Sequence, residues 1–157
     1  MWDKLRKQIT VELNQLHHLL ENHRPLLEKC LSEKPDPIER SAFAAMLHSF
    51  YTGIENILKR VALEIDGGLP GSEIWHRQLL NKMAQPGPDR SAVITPATRD
   101  ILRSYLEFRH VFRHAYTFEL RWEKMAGLVH GCEKTLRQVE LELRLFFQEN
   151  KRDDNLG

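Results

Sequence analysis

The sequence predicts an all-α fold, an up-and-down helical bundle of four long helices plus one short helix. Three observations predict it. Apolar residues recur three and four apart over long stretches, and Pro and Gly punctuate those stretches where helices begin and stop. Nowhere does the chain alternate polar and apolar residues at strand period. At 157 residues the whole chain, 1–157, reads as a single domain with one core.

The first helix is expected over residues 2 to about 31, on Leu5, Ile9, Leu13, Leu16, Leu20 and Leu27. Pro25 lacks an amide proton, so a kink or break is expected near His23 and Arg24. His17, His18 and His23 fall on the solvated side, with no cysteine or carboxylate at a spacing that would complete a zinc site. Lys34-Pro35-Asp36-Pro37 is a turn that starts the second helix: Asp36 can cap, Pro37 suits the first helical position, and Glu39 completes a capping box. The broad stripe from Ala42 and Ala45 through Met46, Phe50, Ile54, Ile57, Leu58, Val61 and Ile65 makes it the central core helix. Small Ala42, Ala45, Ser49 and Gly53 are expected to let a neighbour come close.

Asp66-Gly67-Gly68-Leu69-Pro70-Gly71 stops that helix, and Ser72 can cap a short third one carrying Ile74, Trp75, Leu79, Leu80 and Met83. These glycines follow a helix and have no phosphate-loop spacing, so they read as a turn. Gln85 to Arg90 is an irregular connection, and Thr95-Pro96 starts the fourth helix. The fifth is expected from about residue 121 to 149 on Met125, Leu128, Val129, Cys132, Leu136, Val139, Leu143 and Phe146, with residues 151–157 as a frayed tail.

Composition narrows the function classes. A hydrophobic content of 41%, a charged content of 29% and a net charge of +1 describe a globular chain, and any anion binding must be local. Cys30 and Cys132 have no paired spacing and are expected to be free thiols in a reducing compartment. The amino-terminal residues lack a long apolar run and no membrane span is expected, so the chain reads as cytoplasmic.

The unusual stretch is Arg109-His110-Val111-Phe112-Arg113-His114-Ala115-Tyr116. Helical projection places Ile101, Tyr105, Phe108, Val111, Phe112 and Ala115 on one face. Arg109, Arg113 and Tyr116 share the other, with His110 and His114 on its flank. No acid lies between Arg109 and Tyr116, and like charges at i, i+4 cost a few tenths of a kcal/mol, so an anionic ligand explains the set better than stability. A charged surface that meets a partner protein explains it too. His110 to His114 lacks the glutamate of a zinc-protease helix. Phosphoryl transfer within RNA fits the residue types: the 2′-hydroxyl is the internal nucleophile, histidine moves protons, and arginine stabilises charge on the phosphorus oxygens. No metal or other cofactor is needed for that.

Arg109, four residues, His114, one residue, Tyr116 is the arrangement found in HEPN-domain proteins of the HepT type, which the chain resembles. Phe50-Tyr51-Thr52-Gly53-Ile54-Glu55, residues 66–70, Trp75-His76-Arg77-Gln78-Leu79-Leu80 and Phe108-Arg109-His110 also look like a subgroup of these toxins. The resemblance implies a HEPN-like fold and a homodimer whose motif helices meet, so that Arg109 and His114 of both chains line one RNA-cleaving cleft. It implies that Arg109 holds the scissile phosphate and His114 is general acid or base. His110 stands where a polar residue follows the family arginine, and Arg113 is a second candidate phosphate contact. The implied partners are an RNA substrate and a cognate minimal nucleotidyltransferase antitoxin, which silences such toxins by attaching AMP to the motif tyrosine, here Tyr116. A non-catalytic dimeric HEPN scaffold, or a nucleotide-binding partner of a nucleotidyltransferase, is the alternative. The two separate on whether Arg109 and His114 are exposed in one groove or paired with Glu107 or Glu119.

Overall fold

The computed structural model describes residues 1–156, the side chains of residue 117 and residues 152–156 excepted. It is all-helical, a HEPN-like bundle of six helices with no strand among the described residues. The elements are α1 (Trp2–Asn22), α2 (Arg24–Lys29), α3 (Pro37–Glu64), α4 (Trp75–Met83), α5 (Pro96–His114) and α6 (Trp122–Leu156), with a 3-10 turn at Thr117–Glu119.

Leu5, Ile9, Leu16 and Leu20 of α1 are buried as their spacing predicts. The helix breaks at His23, whose ring donates from Nδ1 to the Leu19 carbonyl. Pro25 falls in the first turn of the separate helix α2, where its missing amide costs no intrahelical bond. The break thus turns one expected helix into two. His17 is exposed and contacts Glu140 of α6.

The capping box of α3 is complete: the Asp36 carboxylate accepts from the Glu39 amide at 2.8 Å, and the Asp36 amide donates to the Glu39 carboxylate at 3.0 Å. α3 touches α1, α4, α5 and α6 and is buried nearly all round. Phe43, Leu47 and Tyr51 therefore join the expected stripe in the core, while Ala45 and Ser49 are exposed. Among the small residues, Gly53 makes the close approach: a Cβ there would lie 2.5 Å from Leu16 Cδ2 of α1.

Helix α3 ends at a turn in which Gly67 takes φ +83, a conformation that glycine adopts without strain. Its Asp66 carboxylate is held by Arg90 through Nε at 2.7 Å and Nη2 at 2.9 Å. Arg90 also donates to the carbonyls of Gln85 and Ser91, so one buried guanidinium ties the α4–α5 connection to the end of α3. The short helix begins at Trp75, three residues after Ser72. Ser72 accepts from the Ile74 amide and bonds Gln78, so it orders the approach without capping the helix, and Ile74 is exposed.

Thr95 caps α5 as expected, accepting from the Thr98 amide at 3.2 Å. A buried carboxylate, Glu142 of α6, takes both the Thr95 amide and the Thr98 hydroxyl and so anchors this end of the helix. Tyr105 donates to the Leu128 carbonyl of α6 at 2.7 Å. The α5 face turned inward is Thr98, Leu102, Tyr105 and Phe108, whereas Ile101 and Val111 are exposed. Leu102 thus takes the place expected of Ile101, and Val111 falls outside the face on which Phe112 packs.

Helix α6 buries Met125, Val129, Cys132, Leu136, Val139, Leu143 and Phe146, and its backbone stays helical to Leu156, beyond the limit near 149 that its apolar spacing suggests. Both cysteines are free and buried, and burial pushes the Cys132 thiol up to about 12, so it is a packing residue and not a thiolate. No helix of the described residues is long and apolar enough to cross a membrane.

Candidate functional site

The side chains of the last two turns of α5 divide between the interior of the bundle and its surface. Arg109 points inward. Its side chain is 15% exposed, with Nη1 3.7 Å from Glu55 Oε1 and 3.4 Å from His76 Nδ1. Glu55, 4% exposed on α3, in turn accepts from His76 Nδ1 of α4 at 2.8 Å. His76 stacks on its neighbour Trp75 with ring centroids 3.7 Å apart, which fixes the plane of the imidazole. Three helices thus converge on one charged cluster, and each brings one of the stretches Phe50–Glu55, Trp75–Leu80 and Phe108–His110 quoted above.

The stretch from Arg109 to Tyr116 has no acid of its own, yet the fold brings one to Arg109. Its acidic neighbour is 54 positions away in sequence (109 − 55) and becomes close only when α3 packs on α5. Among the described residues no ion pair joins Arg109 or His114 to Glu107 or Glu119. Tyr51 lies one turn before Glu55 on α3; burial pushes its phenol well above the ordinary range, the Glu55 carboxylate adds to that, and Arg109 opposes it.

His110, Arg113 and His114 are exposed, and the rings of His110 and His114 lie 4.5 Å apart. Together with Arg109 and His76 they line a cavity of about 560 Å³ between α4 and the end of α5. The structure therefore brings Arg109, His110, Arg113 and His114 to one concave surface. Arg113 and His114 also form the last turn of the helix, where cations are favoured by the exposed carbonyls.

Tyr116 is placed differently from its helical projection. The helix stops at His114, Ala115 is extended, and Tyr116 stands outside the helix, so an i, i+7 relation to Arg109 does not apply. It is 71% exposed and its ring stacks on Phe118 at 5.4 Å and 7°. Glu55 and His76 were absent from the sequence-based site. The available signal was a carboxylate inside the apolar α3 stripe, one helical turn from Tyr51.

His48 of α3 packs its ring against Phe112 at 5.1 Å. Burial, then Arg109 and Arg113, push its pKa below the ordinary 6.5. Because the folded value is the lower one, protons bind preferentially to the unfolded chain: stability is kept above pH 6.5 and lost as pH falls from there toward the folded value. The melting temperature is expected to drop more between about pH 7.5 and pH 5.5 in the wild type than in His48→Gln. Equal drops in the two proteins would contradict this assignment.

No group of three His, Cys, Asp or Glu side chains among the described residues is arranged to hold a metal ion. A family model described as HepT-like protein matches residues 42–150, a span holding most of α3, all of α4 and α5, most of α6 and every residue of the site. The chain belongs to the HepT-like family. That family places it among HEPN proteins of toxin–antitoxin systems. No curated protein and no solved structure matches it. In this HepT-like chain the motif residues Arg109 and His114 thus border one cavity, the arginine at its buried wall and the histidine at its rim.

Proposed function

We propose that the protein is the toxin of a type VII-like toxin–antitoxin pair, a cytoplasmic endoribonuclease that cleaves RNA by 2′-hydroxyl attack without a metal ion. The observation that carries this reading is the shared cavity: Arg109, held from behind by Glu55, faces the same space as His110, Arg113 and His114. A phosphate entering it meets the guanidinium groups of Arg109 and Arg113 for its oxygens and a histidine for proton transfer, with Arg77, Glu73 and Glu107 also on the lining. Arg113, which has no acidic partner among the described residues, serves as a second phosphate contact. Recognition led by phosphate predicts that cleavage of a mixed RNA pool falls steeply as salt rises. Salt-independent cleavage contradicts it.

The active form is a homodimer in which α5 of two copies meet. Ile101 and Val111, 46% and 49% exposed on this helix, supply apolar surface for such a contact. The partner of the complex is a minimal nucleotidyltransferase antitoxin that attaches AMP to Tyr116. The phenol is open to solvent and two residues beyond His114, so an anionic adduct there lies close along the chain to the end of the motif helix and competes with RNA for the cations of its last turn. Tyr116→Phe is expected to cut RNA at the wild-type rate and to gain no AMP mass when incubated with the antitoxin and ATP. Loss of cleavage in that variant assigns the hydroxyl a catalytic part that this account does not give it.

One observation favours a second reading, a non-catalytic HEPN scaffold. The Glu55 contact partly satisfies the charge of Arg109, as a purely structural arginine would be satisfied. An unmodified dimer that cuts no RNA across a broad range of salt and pH supports that reading.

A further inference from the structure

We propose that His76 is a second proton-transfer residue of this site, with Glu55 as its positioning partner; the proposal rests on the ribonuclease reading above. Cleavage by a 2′-hydroxyl moves two protons. One leaves the 2′-oxygen as the O2′–P bond forms, and one reaches the 5′-oxygen as the P–O5′ bond breaks. Attacking and leaving oxygens lie roughly in line on opposite sides of phosphorus, so one imidazole on one side serves one of them. His114 of one protomer meets one need; the other falls either to His114 of the partner subunit or to a histidine of the same cavity, and the geometry points to the latter.

His76 is the histidine built for it. It lines the same cavity of about 560 Å³ as Arg109 and His114 and remains 28% exposed there. Its Nδ1 lies 2.8 Å from a carboxylate oxygen of Glu55, which is fixed in the middle of the most buried helix. Arg109 Nη1 approaches the same nitrogen at 3.4 Å, a longer contact. An ionised carboxylate can only accept, so Nδ1 carries the proton and Nε2 keeps its lone pair. Stacking on Trp75 removes the remaining freedom of the ring, and Lys59 covers Trp75 from outside at 5.5 Å. His110, the other histidine of the cavity, is exposed and has no carboxylate behind it among the described residues.

The step then balances. His76 Nε2 takes the 2′-hydroxyl proton as O2′ bonds phosphorus, Arg109 holds a non-bridging oxygen, and protonated His114 delivers its proton to the departing O5′. The products are a 2′,3′-cyclic phosphate and a 5′-hydroxyl, and both histidines regain their starting states by exchange with water. Glu55 touches no reacting atom; it sets which nitrogen of His76 is free and holds Arg109 on the same wall.

The test uses a short oligoribonucleotide and the same oligonucleotide ending in a 3′-(4-nitrophenyl phosphate), whose leaving group needs no proton. Unmodified wild type, His76→Gln, Glu55→Gln and His114→Ala are compared across pH in EDTA, with melting curves for each. His76→Gln is expected to lose about 100-fold or more in kcat on both substrates, since both need the base. His114→Ala is expected to lose far more on the plain oligonucleotide than on the nitrophenyl ester. Glu55→Gln is expected to fold and to move the acidic limb of the kcat/KM profile, which a mere tie between α3 and α4 would leave in place. Wild-type rates for His76→Gln, a loss confined to the plain oligonucleotide, or an unmoved acidic limb in Glu55→Gln each overturns the proposal while the ribonuclease reading stands. If His76→Gln does not fold, the Glu55→Gln profile decides alone. A wild type that cuts neither substrate removes the ribonuclease reading and this proposal with it.

Discussion

His114→Ala is expected to abolish RNA cleavage at an unchanged melting temperature, whereas Arg109→Ala loses cleavage and stability together. General acid–base catalysis contributes about 10²–10⁴-fold, and a positioned donor to developing negative charge about 10²–10³-fold, so either loss takes activity near background. The stabilities part because the two side chains sit differently. His114 is exposed at a helix end, where substitutions stay within about 0.5 kcal/mol. Arg109 is mostly buried against Glu55, and its removal leaves that carboxylate with His76 as its remaining partner, at a cost of about 1–3 kcal/mol. In a chain of this size each kcal/mol moves the melting temperature by roughly 2–4 °C, so thermal melts followed by circular dichroism resolve the difference. Unfolding of His114→Ala contradicts its surface role. A wild-type melt for Arg109→Ala means that the Glu55 contact adds nothing.

The largest effect on stability is expected at Arg90, far from the chemistry. Its guanidinium is buried, forks onto both oxygens of Asp66 and donates to two backbone carbonyls of the α4–α5 connection. Arg90→Ala strands a buried carboxylate and two carbonyls at once, and breaking a buried pair in this way costs about 3–5 kcal/mol. Arg90→Lys rescues little, because one ammonium cannot reproduce a planar fork. Urea midpoints of the two variants provide the check; a lysine variant as stable as the wild type contradicts the geometric argument. RNA cleavage by whatever fraction remains folded is expected to be normal.

What the sequence made legible was local. The Leu5, Ile9, Leu16 and Leu20 spacing, the Asp36–Glu39 capping box, the break before Pro25 and the Thr95-Pro96 start each depend on neighbours within about one helical turn, and each appears where expected. The family followed from short motifs on those helices. What escaped was tertiary or terminal. Pairing of Asp66 with Arg90, of Glu142 with the start of α5, and of Glu55 with His76 and Arg109 all join residues on different elements, and periodicity carries no information about them. Projection erred where the helix itself ended: Tyr116 was assigned to a face of α5 that stops at His114. It also exchanged Ile101 for Leu102, because two adjacent apolar residues leave the angle of the inward face open and only packing against α3 and α6 decides it.

The same split explains the candidate site. Arg109, His110, Arg113 and His114 were legible in the sequence as one group, but the depth of the surface they share was not. Arg109 forms a wall built by α3 and α4, and His110, Arg113 and His114 form the rim.

The most direct test of the account is the chemistry of the ends produced when unmodified wild-type protein is incubated with RNA in EDTA. The expected products are 2′,3′-cyclic phosphates and 5′-hydroxyls, lost in both Arg109→Ala and His114→Ala. Products with 3′-hydroxyls and 5′-phosphates, or cutting that survives both substitutions, would contradict it.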